Sequence, residues 1–296
     1  MDFEMFLISL YVLIDDWRRA SGSSPRRGPG RPTSMGDSEI LTLAVLSQWP
    51  RWRSERDFWR FASVYLREYF PNLVSQSQLN RRIRALEPEL RALQHYLADT
   101  LADGSEVYRV IDTTLNPAIV RVRACSKGLF AGQAAFGRCT SKTEWVYGFK
   151  VALSVSAEGV VTSFGLVEAN CDERPVGEFL VSGDCHHSYL ADKGFSSVEW
   201  ERHWLETYGA EVIATPQKSA HRAWPDTACK WASGKRQIVE GVINQLKDIF
   251  TLERHRTKTL GGLLTRLAAK IAAYTCGLVL NARLGRSLRY LADLLI

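Results

Sequence analysis

Between Val107 and Pro216 the chain alternates short β-rich runs with helical stretches, and few folds accommodate that alternation. Val107-Tyr108-Arg109-Val110-Ile111-Asp112 is a strand pattern that ends in an acid. Trp145 to Ser156 and Val160 to Ala169 read as two further strands, with Glu158-Gly159 as the hairpin turn between them. Tyr189-Leu190-Ala191-Asp192 repeats the logic of the first run: an apolar strand, an Asp, then Gly194 turning the chain into a helix over 198–208. Glu211 to Pro216 is one more strand. A hairpin followed by alternating strands and helices specifies an α/β layer on a mixed sheet. Residues 124–144, 170–188 and 216–233 show little periodicity and read as loop or irregular.

Residues 1–103 read as helical throughout, which divides the chain into a helical region over 1–103 and an α/β domain over 104–296. The apolar run Phe6 to Ile14 is too short to span a bilayer and follows acids rather than bases, so a packed helix is expected. No other run reaches spanning length, so the chain is expected to be soluble, with no membrane partner. Asp37 or Ser38 caps a helix over 40–48. A second helix covers 55–69 with Phe58, Trp59, Phe61, Ala62, Tyr65 and Leu66 inward. A third starts at Ser75 or Ser77 and runs to Leu86, and another helix covers 88–103. Three short helices, the last bearing Asn80, Arg81, Arg82 and Arg84, resemble a helix-turn-helix whose basic helix lies on DNA. A helical bundle with an arginine-decorated surface has the same pattern. Gly30-Arg31-Pro32 lies in a Gly-, Pro- and Ser-rich stretch and resembles an AT-hook, in which Arg31 would enter a minor groove; a solvated linker is the alternative.

The net charge of +6 makes a polyanionic partner plausible. The six cysteines form no C-x-x-C pair, as expected of free thiols in a reducing compartment. Adjacent ligands rarely converge on one zinc, so Cys185-His186-His187 reads as a loop.

Lys235 to Lys247 forms an amphipathic helix, with Ile238, Val242, Leu246 and Ile249 on one arc and Val239, Ile243 and Phe250 beside it. Arg236, Glu240 and Lys247 share a stripe at its edge, either a surface ion-pair row or a carboxylate and two cations suited to a metal ion and phosphate. A last helix covers 260–284 with Leu263, Leu264, Leu267, Ile271, Tyr274 and Leu278 as its core stripe. Cations dominate its surroundings, among them Arg254, Arg256, Lys258, Arg266, Lys270 and Arg283, as a nucleic-acid channel would require.

Three carboxylates thus stand at the ends of different elements: Asp112, Asp192 and Glu240. The stretches Val110-Ile111-Asp112-Thr113, Tyr189 to Phe195 and the Arg236–Glu240–Lys247 helix resemble the RNase H-like DDE catalytic core of insertion-sequence transposases. The last follows that family's Tyr-Arg-Glu-Lys signature. With Leu79-Asn80-Arg81-Arg82, Glu253 to Arg256 and Thr265 to Lys270, the likeness is greatest to the nine-eighty-two insertion-sequence family and covers nearly the whole chain. The resemblance implies an RNase H-like mixed sheet flanked by helices, with a helical N-terminal DNA-binding region. It implies two Mg²⁺ ions, or Mn²⁺ in their place, held by Asp112, Asp192 and Glu240, with Asp112 bridging. It implies cleavage of double-stranded transposon ends and their transfer into target DNA. Arg236 and Lys247, and in second rank Lys150 and Lys193, would contact phosphate. A homodimer on DNA and a cytoplasmic, nucleoid-associated location follow. Ser233 stands where the signature has its tyrosine, for which Tyr189 or Trp231 would have to substitute. Asp172, expected to cap a helix, and Asp184, expected in a loop, are rivals to Asp192 that lack its strand–Gly–helix setting. The alternatives are a non-catalytic DNA-binding protein derived from a transposase and a metal-dependent nuclease of the same fold.

Overall fold

A computed structural model of the chain describes residues 1–22, 34–49, 52–102, 106–119, 124, 128–139, 144–184, 188–216, 224–292 and 294. Arg31 and Cys185-His186-His187 lie outside the described residues. The chain forms two compact units. One comprises Met1–Leu97, Asp248–His255 and Gly261–Ile296, the other Ala98–Lys247 and Arg256–Leu260. Residues 261–296, grouped in sequence with the strands, thus belong to the unit of the N-terminal helices.

The first unit is built of α1 (Phe3–Ala20), α2 (Asp37–Leu46), α3 (Glu55–Tyr65), α4 (Gln76–Ala85), most of α5 (Glu87–Leu101) and α9 (Leu260–Arg283). Ser54 and Ser75 cap α3 and α4 through their side chains. At α2 the cap is Gly36, one residue before Asp37. Asp37 is instead used between helices: Arg18 reaches it at 3.2 Å and Arg82 at 2.7 Å. On α3, Phe58 and Ala62 are buried, as is Leu66 just past its end, whereas Tyr65, expected inward, is exposed.

In α9 every residue from Leu267 to Asn281 is buried, on all faces rather than on one stripe. Small residues permit this. A Cβ added at Gly277 would lie 2.7 Å from Leu291 Cδ2, so a neighbour packs where a side chain would stand. The helix has the length and hydropathy of a bilayer span, which corrects the expectation that no run reaches it; 89% of its most apolar window is covered by protein. Two of its cations are turned inward. Arg266 donates to Glu55 Oε1, and Lys270 donates to the Phe250 carbonyl and, at 3.2 Å, to Thr251 Oγ1.

The second unit holds a six-stranded mixed sheet flanked by helices. Its strands are β1 (Arg109–Ile119), β2 (Ala135–Cys139), β3 (Glu144–Ser156), β4 (Val161–Glu168), β5 (Ser188–Ala191) and β6 (Glu211–Ala214). β3 is the long antiparallel spine: β1 pairs along one edge, while β2 and β4 share the other in succession. β1, β5 and β6 continue in parallel. α6 (Glu173–Asp184) and α7 (Val198–Tyr208) cover one face with Val176, Leu180, Val181 and Trp204 against Ile111, Tyr189, Ala191 and Val212. α8 (Asp226–Asp248) buries Val239, Val242, Ile243 and Leu246.

Four expectations are corrected. β1 continues seven residues past Asp112, because β3 offers it an antiparallel partner as far as Ile119. The region 124–144 contains β2. The region 170–188 contains α6, whose pattern is obscured by Pro175 and two glycines. Pro175 costs nothing in the first turn, where no N–H is needed, and a Cβ at Gly177 would stand 3.0 Å from Phe195 Cδ1. α8 begins at Asp226, some nine residues before Lys235, so Ser233 lies within the helix, on its exposed side.

Candidate active site

β1 and β5 lie parallel with Val110 opposite Leu190 and Ile111 opposite Ala191. The parallel pairing stops there, and Asp112 and Asp192 are the next residues on each strand. Parallel strands bring like ends together, so the two acids emerge side by side at the C-terminal end of the pairing. Strand alternation sets their direction: Ile111 and Ala191 are buried beneath α6 and α7, so Asp112 and Asp192 turn to the opposite face.

There α8 presents Arg236. Its Nη1 donates to Asp192 Oδ1 at 3.1 Å, and its Nη2 lies 3.9 Å from Asp112 Oδ2. The Thr113 N–H donates to Asp112 Oδ1 at 2.7 Å. The Asp112 side chain is 20% exposed and that of Asp192 43%. Burial is the largest influence on Asp112 and pushes its carboxyl up to about 7. The Thr113 N–H and the Arg236 guanidinium pull it down, while the charges of Asp192 and Glu173 push it further up. Two carboxylates are thus gathered around one guanidinium. Arg236 Nε is buried without a hydrogen-bond partner, which leaves a donor for an oxygen that the described residues do not supply.

Glu240 lies one turn beyond Arg236 on α8, about 6 Å along the axis, and is exposed. Lys247 is half-buried two turns further, and Lys193, next to Asp192, is exposed. Lys150 is placed elsewhere. It pairs in register with Leu115, so it shares a face with Thr113 and not with Asp112. Its ammonium donates to Glu173 Oε1 at 2.9 Å and to the Cys171 carbonyl at 2.8 Å. Neither Glu173 nor Thr113 stands out in sequence as a site residue; the only signal is an acid pair, Asp172-Glu173, directly after a strand. Asp172 accepts from the Arg174 N–H at 3.0 Å, the helix cap expected of it. Asp184 ends α6, where it pairs with Arg109 and accepts from Ser154 and Thr162. Tyr189 is fully buried in the core, so it cannot stand in for the missing tyrosine, while Trp231 is exposed on α8 beside Tyr108.

In the first unit, Arg81 and Arg84 of α4 are exposed. Arg82 is held by Asp37 and by the Met35 carbonyl at 2.6 Å, and Asn80 donates to Glu55. Of Asn80, Arg81, Arg82 and Arg84, the basic helix thus offers only Arg81 and Arg84 outward.

The family model for the Transposase DDE domain matches residues 104–260, more than half of the 296-residue chain. The chain belongs to this family. The comparison with curated proteins gives no match, nor does that with solved structures. The matched span runs from just before β1 to the start of α9 and contains Asp112, Asp192, Arg236, Glu240 and Lys247. The mixed sheet flanked by helices fits the fold of a DDE transposase, and membership of the family supports a transposase function, that of an enzyme acting on DNA.

DDE transposases generally use divalent metal ions, and the Asp112–Asp192 pair fits one. Both are hard oxygen donors of the kind Mg²⁺ takes. Desolvation disfavours the charged form of Asp112 and the Arg236 guanidinium favours it, as a bound cation would. Among the described residues, no group of three His, Cys, Asp or Glu side chains is gathered so as to hold a metal ion.

Proposed function

We propose that the chain is a metal-dependent DNA transposase that cuts the ends of its element and joins them to target DNA, most similar to the nine-eighty-two insertion-sequence family. The observation that carries the proposal is the pairing of Asp112 and Asp192 through Arg236 at the end of two parallel strands, within a chain of the Transposase DDE domain family. Asp112, Asp192 and Glu240 are the residues that would hold Mg²⁺ or Mn²⁺, in two sites. The metal supplies a lowered pKa for the attacking hydroxyl and stabilisation of the leaving oxygen.

The chain's own residues then have separate tasks. Asp112 is fixed in one orientation by the Thr113 N–H and supplies a desolvated carboxylate. Arg236 holds Asp192 in the absence of DNA, and its guanidinium is the group that would turn to a phosphate oxygen when DNA binds. Lys247 lies on the same stripe of α8 and extends the basic track, with Lys193 beside Asp192. Arg81 and Arg84 are the exposed cations through which α4 would contact DNA. Bringing two element ends together requires at least a homodimer on DNA, and the expected place of action is the cytoplasmic nucleoid.

The test is Mg²⁺-dependent cleavage of the element's own end DNA by wild type and Asp192→Ala. The wild type is expected to cut, and the variant to bind without cutting. Wild-type binding without cleavage in either Mg²⁺ or Mn²⁺ would refute the catalytic reading in favour of a DNA-binding protein. Offered a pre-cleaved end, the wild type is expected to join it to target; cutting without joining would identify a nuclease.

A further inference from the structure

On the face of the sheet away from Asp112 lies a second polar cluster. Glu173, the first residue of α6, accepts from Thr113 Oγ1 at 3.0 and 3.2 Å through its two carboxylate oxygens, and from Lys150 Nζ at 2.9 Å. Lys150 is fixed in turn by the Cys171 carbonyl, and the two side chains of the pair are only 15% and 28% exposed. Thr113 faces both ways. Its hydroxyl goes to Glu173, while its N–H goes to Asp112 Oδ1. Glu173 also packs on the turn that carries the other acid: a Cβ at Gly194, two residues past Asp192, would stand 3.0 Å from Glu173 Cγ and 3.7 Å from its Cβ. One side chain is therefore bonded to the neighbour of Asp112 and in contact with the turn after Asp192.

We propose that Glu173 is a positioning residue for the Asp112–Asp192 pair, with Lys150 as its fixed counter-ion rather than a contact for DNA. The inference rests on the assignment of that pair as the metal site. Carboxylate ligands are held in place by hydrogen bonds from behind, and here the chain from Glu173 through Thr113 to Asp112 provides them. Glu173 is an anion close enough to Asp112 to add repulsion, which is the reason it needs a neutralising partner. Lys150 supplies that charge from β3 and leaves the pair itself to Arg236 or a metal ion.

A staple that merely joined α6 to the sheet would affect unfolding but not metal affinity. The experiment is therefore an electron paramagnetic resonance titration of the full-length protein with Mn²⁺ in the absence of DNA. Wild type, Asp112→Asn, Glu173→Ala, Glu173→Gln and Lys150→Met are compared, each with a thermal melt to verify folding. Asp112→Asn is expected to lose binding. Glu173→Ala is expected to bind about tenfold more weakly, the size of effect found for second-row partners of metal ligands. Glu173→Gln, whose amide oxygen still accepts from Thr113, should recover most of the affinity. Lys150→Met should weaken binding several-fold, and it carries the test if Glu173→Ala does not fold. If Asp112→Asn loses binding while Glu173→Ala and Lys150→Met match wild type, the positioning role is overturned and the metal site stands. A Glu173→Gln variant as weak as Glu173→Ala also overturns it, because the carboxylate charge itself would then be required. A wild type that binds no Mn²⁺, or an Asp112→Asn variant that binds as wild type does, overturns both.

Discussion

Replacing Asp112 with Asn should make the metal-free protein more stable while abolishing its chemistry. The carboxyl titrates at about 7 in the folded chain against 3.8 as its unperturbed value. Folding therefore takes up a proton wherever the pH lies between those values. The group favours folding below about 4, and that advantage is lost as pH rises through about 7, where the folded state must carry a desolvated charge. At about 1.4 kcal/mol per unit, the full penalty above pH 7 is ~4 kcal/mol. A fifth of the side chain meets solvent, and screening reduces the figure to roughly 2 kcal/mol. Asn has nearly the same shape, keeps an oxygen for the Thr113 N–H and carries no charge. The assay is urea unfolding of both proteins in EDTA between pH 5.5 and 8. Asp112→Asn should be the more stable at pH 8 by roughly 2 kcal/mol, with about half of that lost by pH 5.5. Mg²⁺ should then close the gap by stabilising wild type alone. An Asn variant less stable than wild type at pH 8 in EDTA, or a gap that does not shrink on acidification, would refute the account of a desolvated carboxylate.

Other outcomes follow from the same geometry. Gly194→Ala places a Cβ against Glu173, so end cleavage should fall about tenfold or more while DNA binding in a gel-shift assay stays near wild type. Lys270 titrates at about 7 in the folded chain against 10.5 ordinarily, so its contribution is present above pH 10.5 and lost as pH falls towards 7. Wild type should accordingly gain stability relative to Lys270→Met between pH 7 and 10, as read by unfolding at both pH values. Glu55→Ala removes the acceptor of both Arg266 and Asn80, and denaturant unfolding should report a loss of about 1–3 kcal/mol. Arg81→Ala with Arg84→Ala should weaken DNA binding and flatten its salt dependence by about two counter-ions, whereas a salt slope equal to that of wild type would remove α4 from the interface.

Much of this was legible in the sequence. β-branched runs, an Asp after each of two of them and a Gly turn into a helix are local signals. They located β1, β3, β4, β5 and β6 and placed Asp112 and Asp192 at comparable points on their strands. The 3.6-residue period of α8 placed Arg236, Glu240 and Lys247 on one stripe. Helix caps at Ser75 and Asp172 could be read because capping is a matter of three or four residues. Less was legible where a residue's local pattern is overruled by its partner. α6 escaped notice because Pro175 and Gly177 are poor helix residues whose value lies in the first turn and in the close approach of Phe195.

The partners of Lys150, Thr113 and Glu173 were not in the sequence at all. Lys150 reads as a candidate for phosphate, yet it pairs with Leu115, and that register gives it to Glu173 on the far face. A slip of one residue would have turned it towards Asp112. Register is fixed by turns and by the burial of Ile111, Ala152 and Ala191, which are distant in sequence. The cations of α9 show the same thing: composition counts Arg266 and Lys270 with the others, but packing on every side of the helix turns them inward. Local periodicity specified the elements and the acids they carry. The pairing of strands distant in sequence settled which acids share a face, because the direction of a side chain on a sheet depends on register, and register is a property of the partner as much as of the strand.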